Sequence, residues 1–339
     1  VDELDVVVVG AGPCGLAAAI ALQREGFRVR VYERECVAAS IARYPLDVTF
    51  FSTAERLALG GLPFVLAAPK PSRRDALAYY REVVRYFGLD VRQYEAVERI
   101  DGRQGAFVVR TLRRSGRRGV VSARWVVVAT GYWGNPNLLD VPGEDLPHVS
   151  HRFVEGHHAF QQPAVVVGGG NSAAEAALEL WRAGAEVTLI HFGPDFDRKI
   201  KPWIKPDLEN RIAEGKIGVR WNSRVRAIDP EWVTIVDGDG MEERLRADHV
   251  FLLTGYAPDV ALLERIGVSI DPISGVPVHD PDTFETDVAG VFIAGVVTAG
   301  FDANRVFIEN GRFHGERIAA RLAGRDAPEV PPASRDLDG

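Results

Sequence analysis

Apolar positions in the opening stretch follow two rhythms in succession. Leu4-Asp5-Val6-Val7-Val8-Val9 is a nearly continuous apolar run of strand length, and from Leu16 to Glu25 the Ala/Leu/Ile pattern is helical. Gly10-Ala11-Gly12-Pro13-Cys14-Gly15 separates them, and Arg28-Val29-Arg30-Val31-Tyr32 reads as a second strand ending at Glu33. Strand, G-x-G-x-x-G, helix, strand and acid in that order form a dinucleotide-binding fingerprint. Gly10 makes the tight turn, Gly12 lets the backbone approach a pyrophosphate, and Gly15 lets the helix pack close to the strand. The pyrophosphate would rest on unpaired N–H groups at the helix N-terminus. Glu33 is placed to accept hydrogen bonds from a ribose 2′-OH.

Between Arg34 and Pro71 the periodicity fades. A long irregular stretch inside a domain is commonly functional. Phe50-Phe51-Ser52-Thr53 either covers the sheet as a surface excursion or packs on a flat cofactor ring. An amphipathic helix is predicted over Arg73–Phe87, ended by Gly88. Three strand-like runs follow, 91–100, 106–112 and 120–123, as in an antiparallel meander. Trp125-Val126-Val127-Val128-Ala129-Thr130-Gly131 is a buried strand running into a small-residue turn. Asn135-Pro136-Asn137 then reads as a linker.

At Ala164 the opening pattern recurs. A strand (Ala164–Val167) leads into Gly168-Gly169-Gly170-Asn171-Ser172-Ala173, a G-x-G-x-x-A turn, then a helix to about Gly184 and the strand Glu186–Ile190. Gly10 to Glu33 and Gly168 to His191 are both 23 positions apart. Two copies imply two dinucleotides. His191 stands where the first copy has its acid, with Arg198, Lys199 and Lys201 close behind. An acid repels a 2′-phosphate and basic residues pair with one, so the first site suits FAD and the second NADPH over NADH. The alternative for the basic residues is a solvated loop.

Residues 219–248 again have hairpin character, and Val250–Tyr256 repeats the strand and Thr-Gly turn of 126–132. That repeat places the second domain as an insertion between two crossings, with a hinge expected at Asn135–Pro136 and Ala257–Pro258. Residues 286–295 hold a turn and a buried strand ending at Ala294-Gly295, and 305–322 reads as a final helix. The expected organisation is residues 1–134 and 258–325 for FAD, 137–255 for NADPH, and a disordered tail over 326–339.

Composition narrows the class. At 339 residues, 46% hydrophobic and 26% charged, the chain can bury large cores; its net charge of −7 argues against a nucleic-acid surface. No apolar run reaches membrane-spanning length, and the N-terminal one is too short for a signal peptide, so a cytoplasmic protein is expected. Cys14 and Cys36 are the two cysteines, too few for a disulfide framework. His148, His151, His157 and His158 lack the companions of a recognisable ligand set, so no metal is expected.

Two such units with this insertion resemble the two-dinucleotide-binding flavoprotein reductases of the low-molecular-weight thioredoxin reductase architecture. The shared marks are Gly10, Gly12 and Gly15 with Glu33, Ala129-Thr130-Gly131, Gly168, Gly170 and Ala173, and Thr286 with Ala294-Gly295. That resemblance implies an α/β fold of two Rossmann-like domains, the NADPH domain inserted into the FAD domain. Two departures stand out. The stretch His148–Glu155 lacks the Cys-x-x-Cys of thioredoxin reductases, and Val296 stands where they carry an aspartate that binds the flavin ribityl chain.

A closer resemblance fits both departures. Gly12-Pro13-Cys14-Gly15-Leu16-Ala17, Phe50-Phe51-Ser52-Thr53 and Phe307-Ile308-Glu309-Asn310-Gly311-Arg312 are similar to the YpdA-type bacillithiol-disulfide reductases, the bacilliredoxin reductases. It implies NADPH-dependent reduction of bacillithiol disulfide, or of a bacilliredoxin-linked substrate, through FAD, with Cys14 as the thiol. Pro13, Phe51, Ser52, Val296, Phe307 and Ile308 then join the cofactor-binding set. A homo-oligomer is expected, with no nucleic-acid or membrane partner.

Judged on residue physics alone, Cys14 supports two readings. The helix N-terminus lowers thiol pKa and favours attack on a disulfide, yet the cofactor pyrophosphate uses the same dipole. Cys14 is then either the nucleophile or a small residue that fits a crowded turn, and Cys36 is structural. Competing functions are a thioredoxin-reductase-like ferredoxin/flavodoxin–NADP reductase, a flavin monooxygenase and a redox-sensing flavoprotein without turnover.

Overall fold

Residues 2–197 and 200–328 are described by the computed structural model. They divide into two units. Unit 1 holds the chain up to Ala42, Val48–Asn135 and the chain from Ala257; unit 2 holds Arg43–Asp47 and Pro136–Tyr256.

Unit 1 opens with β1 (Asp2–Val9), α1 (Pro13–Arg24) and β2 (Val29–Glu33). Val6, Val7 and Val8 are fully buried, each contributing on the order of 2 kcal/mol, so the apolar run fixes where the turn after it falls. α1 starts three residues earlier than its apolar pattern suggests, because Pro13 takes the first helical position, where its missing N–H costs nothing. Two short helices, α2 (Ala39–Ala42) and α3 (Ala54–Leu57), punctuate the irregular stretch. α4 (Arg73–Tyr86) follows, its N-terminus closed by a reciprocal Ser72–Asp75 capping box.

The run 91–100 is not one strand. Tyr94, at φ +56, divides β3 (Val91–Gln93) from β4 (Glu95–Asp101). β3 pairs parallel with β2, whereas β4 pairs antiparallel with β5 (Phe107–Arg113). Conversely, the two runs at 120–123 and 125–128 form one strand, β6 (Arg118–Val128). Its first half pairs with β5 and its second half with a strand from the end of the chain, while β1 lies along its other edge.

Unit 2 contains β7 (Val149–Ser150), β8 (Pro163–Val167), α5 (Asn171–Arg182), β9 (Glu186–Ile190), α6 (Lys205–Ala213) and β10 (Ile217–Arg220). An antiparallel sheet of β11 (Arg224–Ile228), β12 (Trp232–Val236) and β13 (Glu242–Arg246) precedes β14 (His249–Leu252). The main sheet is parallel, in the order β10-β9-β8-β14-β7. Its core joins Val165, Val167, Val250 and Leu252 to Val233 and Ile235 of the antiparallel sheet. Arg43–Asp47 belongs here, Leu46 N–H donating to the Val154 carbonyl at 3.0 Å.

Returning to unit 1, the chain adds α7 (Ala261–Ile266) and β15 (Val291–Ile293), which pairs parallel with β6. The expected final helix is broken into a 3₁₀ turn (Ala303–Arg305), α8 (Ile308–Gly311) and α9 (His314–Leu322). Asn310 imposes the first break, its Oδ1 accepting from Phe307 N–H at 2.7 Å. Of the tail, 326–328 carries no regular structure; the rest of that expectation lies outside the described residues.

Candidate functional site

The two glycine turns are built alike down to their backbone hydrogen bonds. Gly10 N–H donates to the Tyr32 carbonyl (2.8 Å) and Ala129 N–H to the Val9 carbonyl (2.8 Å); Gly168 N–H donates to Ile190 (2.9 Å) and Leu253 N–H to Val167 (2.8 Å). Gly10 has φ +107, and a Cβ there would lie 2.4 Å from the Ala129 oxygen. Gly168 has φ +146, and its Cβ would lie 2.4 Å from the Leu253 oxygen. Both positions require glycine on conformation and on space. At Gly15 a Cβ would sit 2.0 Å from the Gly10 oxygen, which brings α1 against the turn.

Gly12 and Gly131 are different. A Cβ at either would meet nothing within 4 Å, so the bare backbone faces open space. α1 and α5 both begin without a side-chain cap, unlike α4. Exposed backbone beside uncapped helix amides is the cradle a pyrophosphate fills. Glu33, at the end of β2, is 9% exposed. Its Oε2 accepts from Ala11 N–H and its Oε1 from Glu35 N–H, both at 2.9 Å. The carboxylate therefore braces the glycine loop. Thr130 Oγ1 donates to the Asp259 carbonyl at 3.3 Å.

The far end of this site gathers segments distant in sequence. Phe51 and Ser52 precede α3, which packs against α8, where Phe307 and Ile308 lie. Arg56 pairs with Glu309 at 3.5 Å, and Arg312 Nη1 donates to the Glu55 and Ala58 carbonyls at 3.0 and 2.5 Å. Gly295 starts a 3₁₀ turn containing Val296, and its N–H donates to His314 Nδ1 at 3.2 Å. Arg312 enters the sequence reading only as the last residue of the Phe307–Arg312 motif, and His314 carries no sequence signal of function; the fold shows what they hold.

Cys14, which the sequence leaves with two readings, lies in a tight slot. The residue keeps some exposed surface, but its Sγ is lodged between two glycines. A Cβ on Gly295 would lie 3.0 Å from Sγ, and one on Gly311 2.9 Å. Burial pushes the thiol up to about 12, against the lowering expected from a helix N-terminus. Cys36 is also a free thiol.

His191 is likewise enclosed. It is 4% exposed, and its ring lies beneath the second loop, where a Cβ on Gly169 would come within 2.2 Å of it. Desolvation lowers its pKa, against the opposing charges of Asp197 and Asp195, and its Nδ1 has no hydrogen-bond partner. The buried imidazole lies against the loop, where desolvation disfavours its charged form. Asn171 Oδ1 accepts from Lys201 N–H at 2.8 Å, drawing the basic segment to the start of α5, and Ser172 beside it is exposed. Gly170 caps that helix with Asp197 nearby, and Ala173 packs beside Gly168. Arg198 and Lys199 lie outside the described residues.

The family model described as pyridine nucleotide-disulphide oxidoreductase matches residues 7–295, which takes in both glycine turns and ends at Gly295. The chain belongs to that family. Within it, the chain groups with the bacilliredoxin reductases. It is 43% identical to the bacilliredoxin reductase Bdr of Bacillus subtilis, over 94% of this chain and 98% of that one. The solved bacillithiol disulfide reductase Bdr (YpdA) from Bacillus cereus is 44% identical, with a TM-score of 0.93 over 96% of this chain and 100% of that one. A ferredoxin–NADP reductase of Ignicoccus hospitalis is 29% identical over 87% of this chain and 90% of that one. The cofactors of such a pyridine nucleotide-disulphide oxidoreductase are FAD and NADPH. The open backbone at Gly12 and Gly131, and the uncapped starts of α1 and α5, fit two dinucleotides. Among the described residues no group of His, Cys, Asp or Glu is placed to hold a metal, and no helix is long and apolar enough to cross a membrane.

Proposed function

We propose that this chain is an NADPH-dependent, FAD-containing reductase of bacillithiol disulfide. The observation that carries the reading is a single thiol, Cys14, set inside the first dinucleotide loop and walled by Gly295 and Gly311. FAD belongs on the Gly10–Gly15 turn with Glu33 and NADPH on the Gly168–Ala173 turn. Phe51, Ser52, Val296, Phe307 and Ile308 line the part of unit 1 beyond the pyrophosphate. Bound FAD supplies a two-electron carrier between nucleotide and sulfur.

Cys14 gives up its proton and attacks one sulfur of the disulfide. One bacillithiol leaves as the thiol, and the other stays on Cys14 as a mixed disulfide. The hydride equivalent of NADPH, two electrons and one proton, together with one proton from solvent, cleaves that bond, releases the second thiol and restores the Cys14 thiol. Overall, one NADPH and one proton yield NADP⁺ and two thiols. Burial disfavours the thiolate in its slot, and the two glycine walls crowd Sγ, so attack requires the slot to open. The same burial favours a second reading, in which electrons leave the flavin without Cys14, as a ferredoxin reductase would need. Two free cysteines suit a reducing cytoplasm, and a homo-oligomer is expected in solution. NADPH oxidation with bacillithiol disulfide, glutathione disulfide and ferredoxin in parallel tests the assignment. Turnover confined to ferredoxin would overturn it.

A further inference from the structure

The walls of the Cys14 slot are tied to one side chain that the reaction itself does not use. Gly295 forms one wall, and its φ of +79 is a left-handed conformation. Its buried N–H has one acceptor, His314 Nδ1. Gly311 forms the other wall; a Cβ there would lie 3.3 Å from Gly295 Cα, so the two walls touch. His314 follows Gly311 by three residues and opens α9. The next residue, Gly315, meets the backbone of Ala18, where a Cβ would come within 2.4 Å of Cα, and so anchors α9 to α1 one turn beyond Cys14.

The imidazole is itself held in place. It is 8% exposed and stacks on Phe284, ring centres 4.0 Å apart at 13°. Phe284 has φ +59, uncommon for a bulky residue. Backbone bonds hold it there: Phe284 N–H donates to the Asp280 carbonyl at 2.8 Å, and its own carbonyl accepts from Ile293 N–H at 3.0 Å. A strained backbone that persists because its surroundings fix it is a mark of a position under functional constraint.

We infer that His314 is a positioning residue whose neutral imidazole, by accepting the Gly295 N–H, keeps the Gly295 turn closed over the Cys14 thiol. Access of a disulfide to Cys14 is then set by how often that turn lifts away. This inference rests on Cys14 being the reactive thiol, but its test reads the slot and not turnover.

The experiment measures labelling of Cys14 by dithiodipyridine in the holoenzyme carrying Cys36→Ser, following the thiopyridone released. Loss of one buried hydrogen bond favours the open turn by about tenfold, so His314→Leu should speed labelling by that factor. His314→Asn places an amide oxygen near the position of Nδ1 and should return labelling to the parent rate. Equal rates in the parent and the Leu variant, or equal acceleration by Leu and Asn, would overturn the inference. Should the Leu variant fail to fold, amide exchange in the parent decides: the Gly295 N–H should be strongly protected, and exchange as fast as at exposed Val65 would overturn it. Retained turnover in Cys14→Ala would remove the catalytic reading instead, and leave these labelling and exchange outcomes as they stand.

Discussion

Acid stability should depend on His314 in a way that can be worked out from its surroundings. Burial lowers its pKa from 6.5 to about 3, and the neighbouring charges of His279 and Arg317 act in the same direction. In the unfolded chain the imidazole takes up its proton near 6.5; in the folded protein it stays neutral. Between those two values the unfolded state binds the extra proton, so this contribution is fully present above 6.5 and declines as the pH falls. The slope is about 1.4 kcal/mol per pH unit, so roughly 2 kcal/mol should be lost on going from pH 7.5 to pH 5. The perturbation is His314→Asn, which keeps an acceptor for Gly295 and cannot titrate. It gives up stacking on Phe284, costing about 1 kcal/mol at every pH, but its loss between the two pH values should be about 2 kcal/mol smaller than the parent's. Urea unfolding of both proteins at saturating FAD and matched ionic strength measures the difference. Equal losses would mean that His314 charges within the folded protein, and would refute the neutral acceptor assigned to it.

Other substitutions test the two dinucleotide turns. Gly15→Ala would place a methyl 2.0 Å from the Gly10 oxygen, so the protein should purify without a flavin band if it folds; normal FAD content would contradict the packing role. Glu33→Ala strips the acceptor from the Ala11 and Glu35 N–H groups and should cost about 1–3 kcal/mol in thermal or urea unfolding, since buried donors are left unpaired, together with weaker FAD binding by fluorescence titration. Gly169→Ala would force the His191 ring aside from 2.2 Å; NADPH-driven flavin reduction should then slow on the order of tenfold or more, while FAD content stays unchanged.

The parts of this molecule that were legible in the sequence are those where backbone geometry dictates residue type. Gly10, Gly15 and Gly168 can be read directly because each faces a carbonyl oxygen that excludes a Cβ. The buried parallel strands are equally plain, since their apolar runs have nowhere else to go. Local pattern failed where tertiary contacts override it. Tyr94 breaks a strand-like run because β3 and β4 have partners of opposite direction. The final helix breaks beside Gly311, where the chain closes on Cys14. The surroundings of Cys14 and His191 were illegible for the same reason. A sequence shows the helix dipole and the basic neighbours, but desolvation depends on atoms from remote segments, and it dominates both groups. His314 was illegible because its partner, the Gly295 N–H, is a backbone group 19 residues away.

The central claim is that Cys14 carries electrons to bacillithiol disulfide, and one comparison bears on it most directly. NADPH oxidation by the parent and by Cys14→Ala is followed with bacillithiol disulfide as acceptor, alongside flavin content and flavin reduction by NADPH. Alanine keeps the Cβ and fits between Gly295 and Gly311, so FAD content and flavin reduction should be nearly unchanged. Disulfide-dependent turnover should fall on the order of a hundredfold or more, as expected when a nucleophile is removed. A variant that still turns over bacillithiol disulfide at close to the parent rate would contradict the account and make Cys14 a packing residue.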